Sequence, residues 1–158
     1  MNILFVCTGN ICRSPLAEAL LQREVAARDL DGVRVASSGT GAWDGAPASE
    51  GAYLIGLEHG LDLSAHRARL LTRDMVRTAD LVFTMSRHHR ARVQELEPEA
   101  RVVLLGEYAG RAGPEAEVSD PFGGDLDVYR LTFAELEELV RVAAGRLVEE
   151  RRASDSGD

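Results

Sequence analysis

The hydrophobic positions of the chain fall into short continuous runs separated by stretches with helical spacing. A continuous apolar run occurs within residues 2–6, and further short strands are predicted at residues 33–36, 81–85 and 102–105, which are mainly apolar. Continuous apolar runs of this length are typical of strands that are buried on both faces of a parallel sheet. Helical spacing lies between them, at residues 49–59, 72–78 and 88–96. The alternation predicts a parallel sheet with helices on both faces.

Two further helices are indicated by their start signals. Ser14 and Pro15 suit the N-cap and the first helical position of a helix that follows the first strand almost at once. Near the end of the chain, Thr132 and Glu135 have the spacing of a capping box and precede a long amphipathic stretch. From Arg151 onward the apolar periodicity stops, which predicts a frayed tail over residues 151–158 after a single domain over residues 1–150.

One connection is unusually long for a compact domain. Residues 106–126 are rich in glycine, proline and acidic side chains and carry no clear apolar periodicity. Long ordered loops inside a domain often contribute to function. We therefore expect this segment to be an active-site loop.

Composition narrows the possible functions. The chain has 158 residues and a net charge of −8, which disfavours a nucleic-acid partner because phosphate backbones require a broad basic surface. The 18 basic residues are all arginine, and the lack of lysine excludes a Schiff-base lysine and a Walker A nucleotide loop.

The first residues contain neither a basic leader nor an apolar run long enough to span a membrane. We expect a cytoplasmic protein without membrane attachment.

The strongest chemical signal directly follows the first strand, in the string Cys7-Thr8-Gly9-Asn10-Ile11-Cys12-Arg13-Ser14-Pro15. A helix N-terminus favours a bound anion and also the thiolate of Cys7, which is the nucleophilic form of cysteine. Arg13 offers a planar fork for two phosphoryl oxygens, and Gly9 permits the backbone turn that aims amides inward. Ser14 can donate a hydrogen bond to the thiolate, and Asn10 can brace the loop.

This string resembles the low-molecular-weight protein tyrosine phosphatases, in a bacterial branch close to the protein arginine phosphatases. Asp120-Pro121 in the long loop supplies a second matching motif. The resemblance implies a doubly wound four-stranded parallel sheet and hydrolysis through a phosphocysteine, with no metal or organic cofactor. It also implies that Cys7 is the nucleophile, that Arg13 holds the phosphate and that Asp120 is the general acid. The phosphate would lie within the loop formed by Thr8, Gly9, Asn10, Ile11, Cys12, Arg13 and Ser14.

The residue types alone also indicate a catalytic role for Asp120. A phosphate leaving group needs a proton, and a carboxylic acid can donate it and then accept one from the attacking water. The alternative is an ordinary Asp-Pro turn. The loop that follows Cys7, residues 8–14 and called the cysteine loop below, favours the general-acid role of Asp120 over the turn.

The residues around the loop leave several alternatives open. Cys12 either fills the back of the loop or, as in similar phosphatases, pairs with Cys7 under oxidation. His66 matches a position where relatives place a histidine that steadies the loop asparagine; otherwise it is solvated. The resemblance places Trp43 and Phe122 in loops at the rim of the pocket, as candidate aromatic walls, with core positions as the alternative. The pair His88-His89 lacks a third ligand at metal-binding spacing, and we expect a solvated helix face.

Three functions remain possible. Ile11 is apolar and favours an aromatic ring beside it, which supports phosphotyrosine as the substrate. The stretch Asp120-Pro-Phe-Gly-Gly resembles bacterial arginine phosphatases, but those typically have Thr at the position of Ile11. A phosphate-binding module without turnover is a third possibility, although it would not need an acid opposite a thiol. We expect phosphorylated proteins or peptides as substrates, inorganic phosphate as a product, and a monomer or weak dimer.

Overall fold

The computed structural model describes residues 1–156, and its centre is a four-stranded parallel sheet. The strands are β1 (Asn2–Cys7), β2 (Arg34–Gly39), β3 (Leu81–Thr84) and β4 (Val102–Leu104). Their order across the sheet is β2-β1-β3-β4, and all pairs are parallel. The predicted doubly wound sheet is confirmed; β2 runs three residues beyond its predicted end.

Six α-helices connect or follow the strands in the described part of the chain. They are α1 (Arg13–Ala27), α2 (Glu50–Glu58), α3 (Arg73–Thr78), α4 (Arg87–Leu96), α5 (Leu105–Tyr108) and α6 (Leu126–Ser156). The side chains of Ser49 and Thr72 cap α2 and α3 by accepting main-chain N–H hydrogen bonds. These caps explain why both helices begin close to their predicted positions.

Two helix starts and the end of the chain differ from the predictions. Ser14 lies inside α1 and makes no cap; its hydroxyl is used within the cysteine loop instead. The last helix begins at Leu126, before the predicted capping box, because Asp125 Oδ1 accepts the main-chain N–H of Val128 at 3.0 Å. The helix also continues through Ser156, and Arg151 donates to the Asp31 carbonyl at 2.7 Å. The remainder of the predicted tail, residues 157–158, lies outside the described residues.

Alternate residues of β1 enter two different cores. Ile3, Phe5 and Cys7 belong to the larger core, which packs the sheet against α1 and α6. Leu4 and Val6 belong to a smaller core on the opposite face, which includes residues of α3 and α4. This division explains the continuous apolar run of the first strand, because both of its faces are covered.

The sheet has its topological switch point at β1. The chain passes from β1 outward to β2 on one side and then returns to β3 on the other. Loops diverge at such a point and leave a crevice at the carboxyl ends of the strands, where ligands bind in this type of sheet. The cysteine loop follows β1 directly and therefore lies in this crevice.

The segment predicted as one long loop, residues 106–126, is not wholly irregular, because it contains most of α5 and a 3-10 helix over Gly113–Ala116. This segment, still called the long loop, is positioned by a close backbone approach. Gly106 lies against the main chain of Ala116, so that a Cβ at Gly106 would come 2.1 Å from the Ala116 carbonyl oxygen. Further on, Val118 donates its N–H to the Met85 carbonyl at 2.9 Å. These contacts fix the segment that carries Asp120. No helix within residues 1–156 has the length and apolar composition needed to span a membrane.

We predict opposite effects for two glycine-to-alanine substitutions. Gly106→Ala should lower the free energy of unfolding by about 2–3 kcal/mol, since backbone atoms cannot move aside cheaply. Gly145→Ala in α6 should raise it by up to about 1 kcal/mol, because the nearest atom to the new methyl group is the flexible Arg28 side chain at 3.7 Å. Urea unfolding followed by circular dichroism measures both, and equal stability of the two variants would contradict the close approach.

Candidate active site

A cavity of about 170 Å³ opens at the carboxyl end of β1. It brings together the cysteine loop and the long loop, two segments that are more than 100 residues apart. The lining residues are Cys7, Thr8, Gly9, Ile11, Cys12, Arg13, Asp120 and Phe122. Most of the residues predicted for the site thus meet around one cavity.

Cys7 is almost fully buried, and two hydrogen-bonding groups face its sulfur. The Asn10 main-chain N–H donates to Sγ at 3.3 Å, and Ser14 Oγ lies 2.9 Å from Sγ. Asn10 Nδ2 donates to the same Ser14 oxygen at 2.8 Å. The Ser14 hydroxyl proton is therefore available for the sulfur, and both groups stabilise a negative charge on Cys7.

Asn10 forms the turn of the cysteine loop. It is buried with φ at 55°, a left-handed conformation that asparagine tolerates better than most residues. The sequence analysis assigned the unusual backbone conformation to Gly9, and this was wrong, since Gly9 is not among the residues with positive φ. Asn10 Nδ2 also donates to Ser37 Oγ at 2.9 Å, and Oδ1 accepts the Arg69 N–H at 2.9 Å.

Two side chains behind the loop complete this network. His66 Nε2 lies 2.6 Å from the Asn10 carbonyl oxygen, so this nitrogen carries a proton and donates it. His66 thus contacts the loop asparagine, the arrangement that the resemblance implied. Ser37 Oγ, which accepts from Asn10, donates in turn to Glu18 Oε1 at 2.6 Å. Sequence reasoning missed Ser37 and Glu18, because neither has a local signal that distinguishes it from an ordinary strand or helix residue.

Arg13 is buried at the base of the cavity. Its Nη1 donates to the Val118 carbonyl at 2.8 Å, and its Nη2 lies 3.6 Å from Asp120 Oδ2. Within residues 1–156, Nε has no hydrogen-bond partner. One edge of the guanidinium is therefore anchored to the long loop, while Nε and Nη2 remain as a planar pair of donors for two oxygens of an anion.

Asp120, the candidate general acid, and the two candidate aromatic walls differ in exposure and in whether they line the cavity. Asp120 lies at the cavity mouth with its side chain 48% exposed, and Oδ1 accepts the Phe122 N–H at 3.1 Å. Phe122 is exposed and lines the cavity. Trp43 is 85% exposed and does not line it. Neither aromatic residue occupies a core position, and the structure provides one wall beside Ile11.

Cys12 lines the cavity and also takes part in a separate polar cluster. Its sulfur lies 3.1 Å from Ser49 Oγ and 3.3 Å from Tyr129 Oη, and Cys7 and Cys12 are both free thiols. Burial raises the pKa of the Cys12 thiol, which opposes the lowering effect of these hydrogen bonds. Burial likewise raises the pKa of Tyr129 to about 12. Cys12 therefore remains protonated near neutral pH.

The expectation of a solvated face at His88-His89 is wrong for His89. The His89 side chain is completely buried, with Nε2 2.8 Å from Thr8 Oγ1 and Nδ1 2.8 Å from Ser86 Oγ. Its only sequence signal is its helical position, four residues before the buried Val93. Across residues 1–156, no three His, Cys, Asp or Glu side chains cluster closely enough to hold a metal ion.

Comparison with known proteins agrees with this geometry. Residues 2–153 match the family of low molecular weight phosphotyrosine protein phosphatases. A protein-arginine-phosphatase of Bacillus subtilis (strain 168) is 40% identical over 96% of this chain and 100% of its own length. The low molecular weight protein-tyrosine-phosphatase Wzb of Escherichia coli (strain K12) is 39% identical over 89% of this chain and 90% of its own.

A solved structure is also similar over almost the whole chain. It is that of a mutant of the YwlE arginine phosphatase with a phosphorylated active site serine, and it has a TM-score of 0.88 and 38% identity. The alignment covers 96% of this chain and 99% of that one. The chain therefore belongs to the low molecular weight phosphotyrosine protein phosphatase family and is a phosphatase.

Proposed function

We propose that this phosphatase hydrolyses phosphotyrosine in proteins through a phosphocysteine formed on Cys7. The observation that carries the proposal is the convergence of the Cys7 sulfur, the free edge of the Arg13 guanidinium and the Asp120 carboxyl group on one small cavity. A nucleophile, a clamp for the phosphoryl oxygens and a proton donor are the three groups that a phosphate ester needs for cleavage.

In the first step, the Cys7 thiolate attacks phosphorus and the bond from phosphorus to the tyrosine oxygen breaks. Asp120, in its protonated form, gives its proton to that oxygen, so that a neutral phenol leaves. Arg13 and the main-chain amides of the loop stabilise the charge on the equatorial oxygens of the transferring group. The product of this step is a phosphocysteine and an ionised Asp120.

In the second step, water attacks the phosphocysteine and the sulfur–phosphorus bond breaks. The Asp120 carboxylate accepts a proton from the water, because the second step reverses the proton transfer of the first. Inorganic phosphate leaves, and Cys7 returns to the thiolate that is stabilised by Ser14 and the Asn10 N–H. The related structure with a phosphorylated active site serine supports a covalent phosphoenzyme in this family.

The cavity walls favour an aromatic phosphate ester. Ile11 and Phe122 both line the cavity and present apolar surface to the group that carries the phosphate. A phenyl ring gains free energy from contact with such surface, whereas a charged guanidinium loses hydration against it. Within the cavity lining, Asp120 is the only carboxylate.

Phosphoarginine is the second candidate substrate. A protein-arginine-phosphatase of Bacillus subtilis is as similar to this chain as Wzb is. The exposed Asp120 carboxylate could accept a hydrogen bond from a substrate guanidinium at the cavity mouth. Ile11 is the residue that distinguishes the two substrates, because it replaces the threonine that is typical of arginine phosphatases.

We further infer a single catalytic domain over residues 1–150 that works in the cytoplasm as a monomer or weak dimer. One large core joins the sheet to α1 and α6 and supports the whole site. A cytoplasmic location would keep Cys7 reduced and able to act as a nucleophile.

Substitutions at Cys7 and Asp120 test the mechanism. Cys7→Ser should abolish turnover of a phosphotyrosine peptide. Asp120→Asn should lower kcat by about 10²–10⁴-fold, with a smaller loss for p-nitrophenyl phosphate, whose leaving group needs no proton. Steady-state phosphate release measures both variants. Asp127→Asn, an exposed acid on α6, is the matched control and should retain wild-type activity. Turnover by Cys7→Ser at the wild-type rate would contradict the phosphocysteine.

Arg13→Lys tests whether the planar fork is needed as well as the charge. We expect turnover to fall by about three powers of ten, since an ammonium group cannot hold two oxygens in one plane while keeping the contact to Val118. The control is Arg92→Lys in a surface ion pair with Glu95. Near-normal kcat/KM of Arg13→Lys would show that guanidinium geometry plays no role.

Ile11→Thr tests the choice of substrate. The wild type should prefer a phosphotyrosine peptide over the corresponding phosphoarginine peptide, and Ile11→Thr should reduce that preference by about tenfold, which corresponds to about 1.4 kcal/mol. The ratio of the two kcat/KM values is the measurement. A wild-type preference of tenfold or more for phosphoarginine would replace phosphotyrosine as the proposed substrate.

A further inference from the structure

The buried imidazole of His89 connects the β3–α4 junction to the residue that follows the nucleophile. His89 Nε2 lies 2.8 Å from Thr8 Oγ1, and Nδ1 lies 2.8 Å from the hydroxyl of Ser86, the residue before α4. Thr8 lines the cavity. His89 itself does not line the cavity, and the reaction described above does not use it.

The surroundings keep the His89 ring neutral. Burial, together with the charges of His88 and Arg13, lowers the pKa of His89 to about 3. A neutral imidazole has one donor nitrogen and one acceptor nitrogen, and hydroxyl groups can match either arrangement. Both ring nitrogens are therefore satisfied by Thr8 and Ser86 in the completely buried position.

Two hydrogen bonds hold Thr8, one toward β2 and one toward β3. Its carbonyl oxygen accepts the Gly41 N–H at 2.9 Å, on the side of β2. Its hydroxyl is paired with His89, on the side of β3. The first contact restrains the backbone of Thr8 and the second restrains its side chain. Thr8 is the first residue of the cysteine loop and lies between the Cys7 carbonyl and the Gly9 amide.

We propose that His89 is a positioning residue of this phosphatase, which fixes the first turn of the phosphate-binding loop through its hydrogen bond to Thr8 Oγ1. The inference rests on the proposed phosphate site at the Cys7–Arg13 loop. Without the bond, the Thr8 side chain is free to change rotamer and the loop amides lose part of their preorganisation toward the phosphoryl oxygens. His89 touches no substrate and acts only through Thr8.

The proposal predicts a loss of anion affinity that depends on the Thr8 hydroxyl. His89→Leu and Thr8→Val should each weaken competitive inhibition by inorganic phosphate and lower kcat/KM for p-nitrophenyl phosphate by about five- to tenfold, as expected for one lost hydrogen bond. The conservative variants Thr8→Ser and His89→Gln keep a hydrogen-bonding group at each side and should remain within about threefold of the wild type.

A double-mutant cycle separates this role from a general structural one. In the Thr8→Val background, His89→Leu should cause no further loss of phosphate affinity, although it still lowers the melting temperature. Val93→Ala is the matched stability control, because Val93 is buried on the same helix in the core that faces away from α1 and α6. It should lower the melting temperature and leave phosphate inhibition unchanged.

Each result bears on the proposal. Non-additive losses of phosphate affinity, together with unchanged inhibition of Val93→Ala, support it. Additive losses, or a His89→Leu variant that binds phosphate like the wild type, overturn it and leave the proposed function intact. If the wild type hydrolyses neither p-nitrophenyl phosphate nor a phosphotyrosine peptide and does not bind phosphate, both the role of His89 and the proposed function are overturned.

Discussion

The left-handed turn at Asn10 is the constraint on which the rest of the site depends. The buried Asn10 amide donates to Ser14 and Ser37 and accepts from the main chain of Arg69, while its own carbonyl accepts from His66. With these bonds in place, the Asn10 N–H and the Ser14 hydroxyl both face the Cys7 sulfur. The loop over residues 8–14 is thereby held rigid at its turn, since the side-chain amide, N–H and carbonyl of Asn10 all have partners.

Arg13 supplies the positive charge of the cavity in a protein whose net charge is negative. The chain has a net charge of −8, yet the cavity must attract a phosphate group. The buried guanidinium of Arg13 at its base, with one edge bonded to the Val118 carbonyl, places a fixed positive charge in the same cavity as Cys7, the proposed nucleophile. Asp120 lies near the other edge at the cavity mouth. The same long loop thus contacts Arg13 and carries Asp120, the proposed acid, so that the two side chains lie close together.

The sequence could predict the parts of the site that have a local signature. The string from Cys7 to Pro15 and the pair Asp120-Pro121 are specific enough to indicate the chemistry. The strands were equally visible, because continuous apolar runs mark a sheet covered on both faces. Capping signals were less reliable. Ser14 has the side chain of an N-cap, but its hydroxyl is bonded to Cys7 and Asn10. The last helix begins at Leu126, next to the capping side chain of Asp125, and not at the Thr132 capping box.

By itself, the sequence determined the fold class, the family and its Cys7-to-Pro15 motif, because these depend on residues that are neighbours along the chain. Only the tertiary structure decided which distant side chains support the loop. Ser37, Glu18 and His89 come from a strand and two helices, and their roles arise from packing at the switch point of the sheet. From the sequence, the pair His88-His89 is expected to be a polar surface. The His89 ring is buried because of the way its helix packs in the folded protein. Contacts between residues far apart in the chain leave no local sequence pattern. For this physical reason, the supporting roles of these residues could not be predicted from the sequence.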